Sequence, residues 1–171
     1  MAVLDMSLDG VVEAPERWGV WAAAVSQVRA TTDTVLVGRR TFEEMAAGSI
    51  RLGGLRTLVV SRTLAHADEV ENSEVIKGEQ PLRTLAALKD VPGPDLAVLG
   101  SMTLVESLLH AGLLDELHLM MHPVMAGGGA RLIGDGTFEL SSVATLRSGV
   151  LHAVYTTGWS SAGRSASVSL G

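Results

Sequence analysis

The chain has 171 residues and a formal net charge of −6, with 47% apolar, 19% charged and 4% aromatic residues. That length suits one domain with a substantial core, and the acidic balance with few aromatic side chains argues against general nucleic-acid binding. The lack of cysteine excludes disulfides, thiolate metal sites and a cysteine nucleophile. No apolar run approaches the roughly 18 residues that span a bilayer, and the start, MAVLDMSLDG, lacks a signal-peptide pattern. A cytoplasmic protein with neither membrane nor nucleic-acid partners is expected.

Val3–Leu8 reads as a strand that stops at the Asp9-Gly10 turn. Trp18, Trp21, Ala22, Val25 and Val28 then recur at helical spacing and predict a helix from Glu16 to about Ala30. Glu16 would lie at its positive end, where a carboxylate either stabilises the helix or serves as an acid. Thr34–Val37 is a β-branched strand, followed by Gly38, Arg39, Arg40 and Thr41. Thr57–Val60 is the next strand, with Ser61 and Arg62 after it, and Val70–Gly78 holds a short one.

A helix is expected from Pro81, ended by the loop Val91–Pro94. Leu96–Leu99 is a strand that stops at Gly100. Leu104, Leu108 and Leu109 then mark one face of a helix that ends at Gly112, before a strand over Leu114–His122. Gly127–Gly129 would let backbone approach a ligand, or simply make a turn. Phe138–Arg147 and Val150–Thr157 read as a hairpin with Trp159 packed at its end. The domain spans residues 1–159, and Ser160–Gly171 is a flexible tail.

Two stretches match in form. Val37-Gly38-Arg39-Arg40-Thr41 with Glu44 repeats in Leu99-Gly100-Ser101-Met102-Thr103 with Glu106: a strand, a glycine, two linker residues, a threonine and a glutamate three places on. The threonine–glutamate spacing is that of a capping box, so two helix starts are expected at strand ends, where open α/β sheets bind ligands. Arg39, Arg40 and Arg62 at consecutive strand ends of an acidic chain point to an anion site, although Ser61 and Arg62 also suit an ordinary solvated loop.

Several sites are excluded by motif. The chain has no GxGxxG, P-loop, HExxH or GxSxG pattern. His118 and His122 share one face of a strand at a separation too long for one ion, so no metal is expected. Anion-ready helix starts without a nucleophile or metal set suit a protein that positions a redox cofactor.

In order and spacing, Met6–Gly10, Val37–Glu43, Leu99–Ser101 with Leu104 and Leu108-Leu109, Leu113–Leu117, and His122–Val124 with Gly127–Gly129 resemble the dihydrofolate reductase-like superfamily. The nearest group is the bacterial one related to the C-terminal reductase domain of the bifunctional riboflavin-biosynthesis deaminase-reductase. The resemblance implies an α/β single-domain fold: a central mixed, mostly parallel sheet flanked by helices, with an antiparallel C-terminal hairpin. It implies an NADPH-dependent reductase acting by hydride transfer on a pterin-like or ribosylamino-pyrimidinone-like heterocycle. Gly38, Arg39, Arg40 and Thr41 would form the first phosphate turn, and Arg39, Ser61 and Arg62 would approach the 2′-phosphate. Gly100, Ser101, Met102 and Leu104 would hold the pyrophosphate and nicotinamide end, with Leu4, Asp5 and Val12 lining the cleft.

The chain departs from dihydrofolate reductases proper in two places. Arg17–Ala30 contains no Asp or Glu, and Gly100-Ser101 stands where a glycine pair is usual. Asp5, Asp9 and Glu16 remain as candidate catalytic acids. The alternative is a non-catalytic NADP(H)-binding or regulatory dimer that keeps the fold. A homodimer is expected, with Leu113–Val124 and the C-terminal hairpin offering apolar surface.

Overall fold

The computed structural model describes residues 1–18, 22–76, 81–132, 137–146 and 148–157. Its eight strands are β1 (Ala2–Ser7), β2 (Thr34–Gly38), β3 (Arg56–Val60), β4 (Ser73–Ile76), β5 (Leu96–Leu99), β6 (Glu116–His122), β7 (Phe138–Thr145) and β8 (Leu151–Thr157). The helices are α1 (Ala22–Thr31), α2 (Arg39–Ala46), α3 (Pro81–Lys89) and α4 (Met102–His110).

The strands form one sheet in the order β4-β3-β2-β5-β1-β6-β8-β7. β1 to β6 run parallel, and β8 and β7 are antiparallel. This is the mixed, mostly parallel sheet with a C-terminal hairpin that the resemblance implies. Apolar runs such as Val35–Val37 and Ala97–Leu99 are buried on both faces, because helices cover both sides of a parallel sheet. Val3, Val35, Val37, Leu99 and Met120 pack with Ala24 and Val28 of α1 and with Phe42 and Met45 of α2. On the opposite face Ala2, Leu4, Leu36, Leu58 and Val98 pack under Leu85 of α3 and under Leu104, Val105 and Leu108 of α4.

Topology sets the opening. From β1 the chain passes through α1 to β2, on one side of β5; from β5 it passes through α4 to β6, on the far side of β1. The winding therefore reverses between β1 and β5, the crevice where such sheets take ligands. The two strands pair only at Ala2↔Val98 and Val3↔Leu99, whereas β1 follows β6 over six residues, from Ala2 to Ser7.

Several expectations change. Glu16 sits in a short 3-10 turn, Pro15–Arg17, and the first described α-helix is Ala22–Thr31. Pro15 and the left-handed Ala14 before it account for the separate turn. Neither capping box forms: α2 starts at Arg39 after Gly38, α4 starts at Met102 after Ser101, and neither start has a side-chain cap. α2 begins two residues before Thr41 and α4 one residue before Thr103, so both threonines lie inside the first turn rather than ahead of it. β6 is enclosed between β1 and β8, so its edges are not free to pair with a second copy, whereas β7 is an outer strand. Trp21, Trp159, Arg147 and the Ser160–Gly171 tail lie outside the described residues. No described helix is long and apolar enough to cross a membrane.

Candidate active site

Parallel strands put all their carboxyl ends on one edge. The turns after β2 and β5 are neighbours there, because β2 pairs with β5. They touch through two residues: a Cβ placed on Gly38 would lie 2.1 Å from the Ser101 hydroxyl oxygen and 2.9 Å from its Cβ. Only a residue without a side chain fits against Ser101 in this arrangement. Gly100 and Ser101 are both left-handed, at φ 60° and 54°. Glycine takes that conformation freely; serine pays for it. Of the amides at the start of α4, those of Leu104 and Val105 bond to the Ser101 carbonyl, and those of Met102 and Thr103 have no partner among the described residues.

The loops after β1 and β6 are strapped together beside these turns. Val12 and Glu13 donate their amides to the Ala130 carbonyl, and Leu8 donates to that of Val124. Asp9 accepts at Oδ1 from the Ser7 hydroxyl (2.6 Å) and the Ala126 amide (2.9 Å), and at Oδ2 from the Gly127 amide (2.9 Å). These donors hold its carboxyl down at about 2, led by the Ser7 hydroxyl. Glu13 accepts from the Ala130 amide, and Arg131 donates to the Asp9 carbonyl. Of the three glycines, Gly129 approaches the chain's own loop, where a Cβ would meet Val11 at 2.7 Å, whereas Gly127 and Gly128 face open space.

A buried pair lies on the α1 face. Asp5 of β1 and His122 at the end of β6 meet at 2.6 Å, Oδ1 to Nε2. Asp5 is 3% exposed and His122 6%. Burial raises the Asp5 carboxyl above its usual value, and the bond to His122 works against that rise. Trp18 sets its ring against His122 in a T-shaped contact, with centroids 5.7 Å apart.

Against known proteins, the model of the family described as RibD C-terminal domain matches residues 1–152. The chain belongs to the RibD C-terminal domain family. It is 28% identical over 174 residues to the uncharacterized protein YyaP of Bacillus subtilis, covering 89% of this chain and 91% of that one. In fold it is similar to a putative riboflavin biosynthesis protein from Shewanella sp. PV-4, with TM-score 0.68, 17% identity, and coverage of 91% of this chain and 97% of that one. It is also similar to dihydrofolate reductase from Enterococcus faecalis, complexed with NADP(H) and RAB-propyl (TM-score 0.67, 18% identity, coverage of 92% and 95%). A pyrimidine reductase-like protein from Corynebacterium diphtheriae shares the fold at TM-score 0.63, with 15% identity and coverage of 91% and 90%.

In this RibD C-terminal domain the arginines share one edge but not one direction. Arg39 reaches along α2 to Glu43 (3.4 Å), and Arg40 crosses to Glu13 of the β1 loop (3.5 Å). Arg62 is exposed and makes no ion pair among the described residues. Ser61 Oγ accepts from the Thr63 and Leu64 amides, capping its own turn. Thr41, Leu104 and Leu4 are buried under their helices and sheet face, and Val12 is held in the strapped loop. Glu16 is exposed and raises the neighbouring Glu44, after burial, which acts most strongly on that group.

His122 and Trp18 were not read as site residues from sequence. In the sequence His122 stands out as half of a His118/His122 spacing and at the head of the His122–Val124 fragment, and its partner lies 117 positions away in the chain.

Proposed function

We propose that this protein is an NADPH-dependent reductase of a small heterocycle, pterin-like or ribosylamino-pyrimidinone-like. The observation that carries the reading is the crevice where β1 and β5 part after Val3 and Leu99, flanked by two adjoining helix starts without side-chain caps. Family membership supports a reductase, and the similar Enterococcus faecalis protein carries NADP(H).

The donor set suits a dinucleotide phosphate. Free first-turn amides at Met102 and Thr103 would bond pyrophosphate oxygens, aided by the positive end of α4. Gly38 and Gly100 keep side chains out of the backbone's path to that group. Arg39 and Arg62 supply cations at the ends of adjacent strands, where an adenosine 2′-phosphate would be answered by charge-assisted bonds. When bound, NADPH supplies a hydride. The chain's part is to hold the substrate against the strand ends, shield it with the strapped loops, and provide a proton.

Among the three candidate acids, the geometry favours Asp5. Asp9 is committed to three hydrogen bonds and stays ionised, so it acts as a loop clasp. Glu16 is an exposed turn residue. Asp5 is the buried carboxyl at the crevice.

Calorimetric titration with NADPH and NADH tests the reading: micromolar-range NADPH binding with weaker NADH binding is expected, and no binding of either would sink it. The second reading, a non-catalytic NADP(H)-binding dimer, draws on one observation: α1 carries no carboxylate. NADPH binding without oxidation, across dihydropterin and ribosylamino-pyrimidinone probes, would favour it.

We also propose a homodimer formed at β7. All eight residues of that strand are exposed, including Phe138, Leu140 and Val143.

A further inference from the structure

We propose that Asp5 and His122 form a proton-holding dyad, which delivers one proton to a nitrogen of the heterocycle being reduced. The proposal rests on the reductase reading above and adds to it a donor residue, Asp5, and a positioning residue, His122.

Placement sets Asp5 beside the opening of the sheet. Asp5 is the second residue beyond Val3↔Leu99, the last pairing of β1 with β5. The carbonyls of Met1 and Val3 accept from β5 and its turn, from the amides of Val98 and Gly100. Backbone groups alternate sides along a strand, so those of Asp5 point the same way, past the end of the pairing. The residue therefore belongs to the wall of the crevice. Its side chain lies on the α1 face with Val3 and Ser7, opposite to Leu4.

The make-up of the pair suits it to hold a proton. A carboxyl and an imidazole in contact at 2.6 Å share a proton, and the charged and neutral forms of the pair have the same net charge. Burial opposes a lone carboxylate there, so the proton is retained by the pair rather than lost to solvent. Among the described residues Oδ2 of Asp5 has no hydrogen-bond partner, although the atom is buried. Buried polar atoms are normally satisfied, and this exception stands on the residue whose backbone walls the crevice.

The surroundings leave the pair isolated. Ser7, next on the same face of β1, gives its hydroxyl to Asp9. On β6 the next histidine along that face, His118, is bound to Glu116 at 3.1 Å and to His152 of β8 at 3.1 Å. Trp18 covers His122 with an uncharged ring. Among the described residues, the charge acting on Asp5 is that of His122.

The bookkeeping of the step closes. Reduction of a C=N bond breaks its π bond, places a hydride from a reduced nicotinamide on carbon, and requires one proton on nitrogen. The dyad gives up that proton, leaving a carboxylate and a neutral imidazole, and solvent restores it.

The test is an NMR titration of ¹³C,¹⁵N-labelled protein from about pH 4 to 9, with and without NADPH, following the Asp5 carboxyl carbon and the His122 ring nitrogens. Both signals should move together in one coupled titration, above the ordinary carboxylate value. NADPH should shift both, leaving the exposed His110 at the far end of α4 unmoved. Asp5→Asn should leave His122 titrating alone; should that variant misfold, the wild-type titration decides.

An Asp5 that ionises at or below the ordinary value, independently of His122, overturns the proposal. Calorimetric NADPH binding that leaves both signals unmoved overturns the proposal alone. A protein that binds no NADPH overturns the reductase reading and the proposal with it.

Discussion

Gly38 and Ser101 hold two helix starts in contact, with the serine hydroxyl oxygen 2.1 Å from where a Cβ on Gly38 would stand. Gly38→Ala should therefore displace the serine and cost about 1–3 kcal/mol, as overpacking does. Ser101→Gly removes both the obstacle and a left-handed serine, so alone it should be neutral or stabilising by up to about 1 kcal/mol. The double variant should recover most of the loss. Chemical denaturation of the four proteins gives the cycle, and additive costs would show that the two residues do not meet.

Asp9 carries a pH-dependent clasp. Its carboxyl is held down at about 2 against an ordinary 3.8, so the folded state favours the ionised form. The contribution is present in full above 3.8 and fades as pH falls through about 2. The Ala126 and Gly127 amide resonances should shift over that interval. In Asp9→Asn, which lacks a second acceptor oxygen, at least one of those amides should exchange faster at neutral pH.

Cofactor preference should follow the arginines unequally. Arg62 has no described ion partner, so Arg62→Ala should cost roughly tenfold in NADPH affinity and little in NADH affinity, about one charge-assisted bond. Arg40 is turned toward Glu13, so Arg40→Ala should change the NADPH:NADH ratio less than threefold, about 0.6 kcal/mol. Fluorescence titrations at fixed salt measure both. Equal losses for the two cofactors at Arg62 would remove it from the 2′-phosphate site.

His152 is shifted down, first by burial and then by the charge of His118. A base with a lowered folded value stabilises the fold above the unfolded value of 6.5. That stability declines as pH drops below it, because the unfolded chain takes up the proton more readily. Denaturation midpoints should fall between about pH 7 and 5, and His152→Gln should flatten the decline. An unchanged slope would place the pH sensitivity elsewhere.

The exposed strand β7 makes a testable interface. Phe138, Leu140 and Val143 oppose Thr157, Tyr155 and Ala153 of β8, so all three lie on one face. Light scattering should give a dimer, and Leu140→Glu with Val143→Glu should give a monomer with an unchanged far-ultraviolet spectrum. A wild-type monomer would refute the assembly.

That face also shows what the chain's pattern conceals. Leu140 and Val143 differ by an odd number, and strict alternation would send them to opposite sides. The register shift between Leu140 and Ser142 reunites them, and nothing in the residue types announces a bulge there. The strands and their order of appearance were legible because the apolar runs are short, β-branched and bounded by glycine. Leu96–Leu99 was found to the residue. Helix starts were misplaced because glycine and a left-handed serine, rather than threonine, open α2 and α4. The Gly-Arg and Gly-Ser turns were visible as motifs. The Asp5–His122 pair was not, since it is created by the β1–β6 register, a long-range property that local spacing does not encode.

Leu8–Glu13 and Val124–Arg131 are bonded along their length, so neither can swing over the strand ends without carrying the other. The two loops beside the crevice are mechanically one strap with two roots, in β1 and in β6. Those are also the strands that supply Asp5 and His122. The strap and the alignment of Asp5 with His122 therefore hang on the same two strands, so a disturbance at either root reaches both.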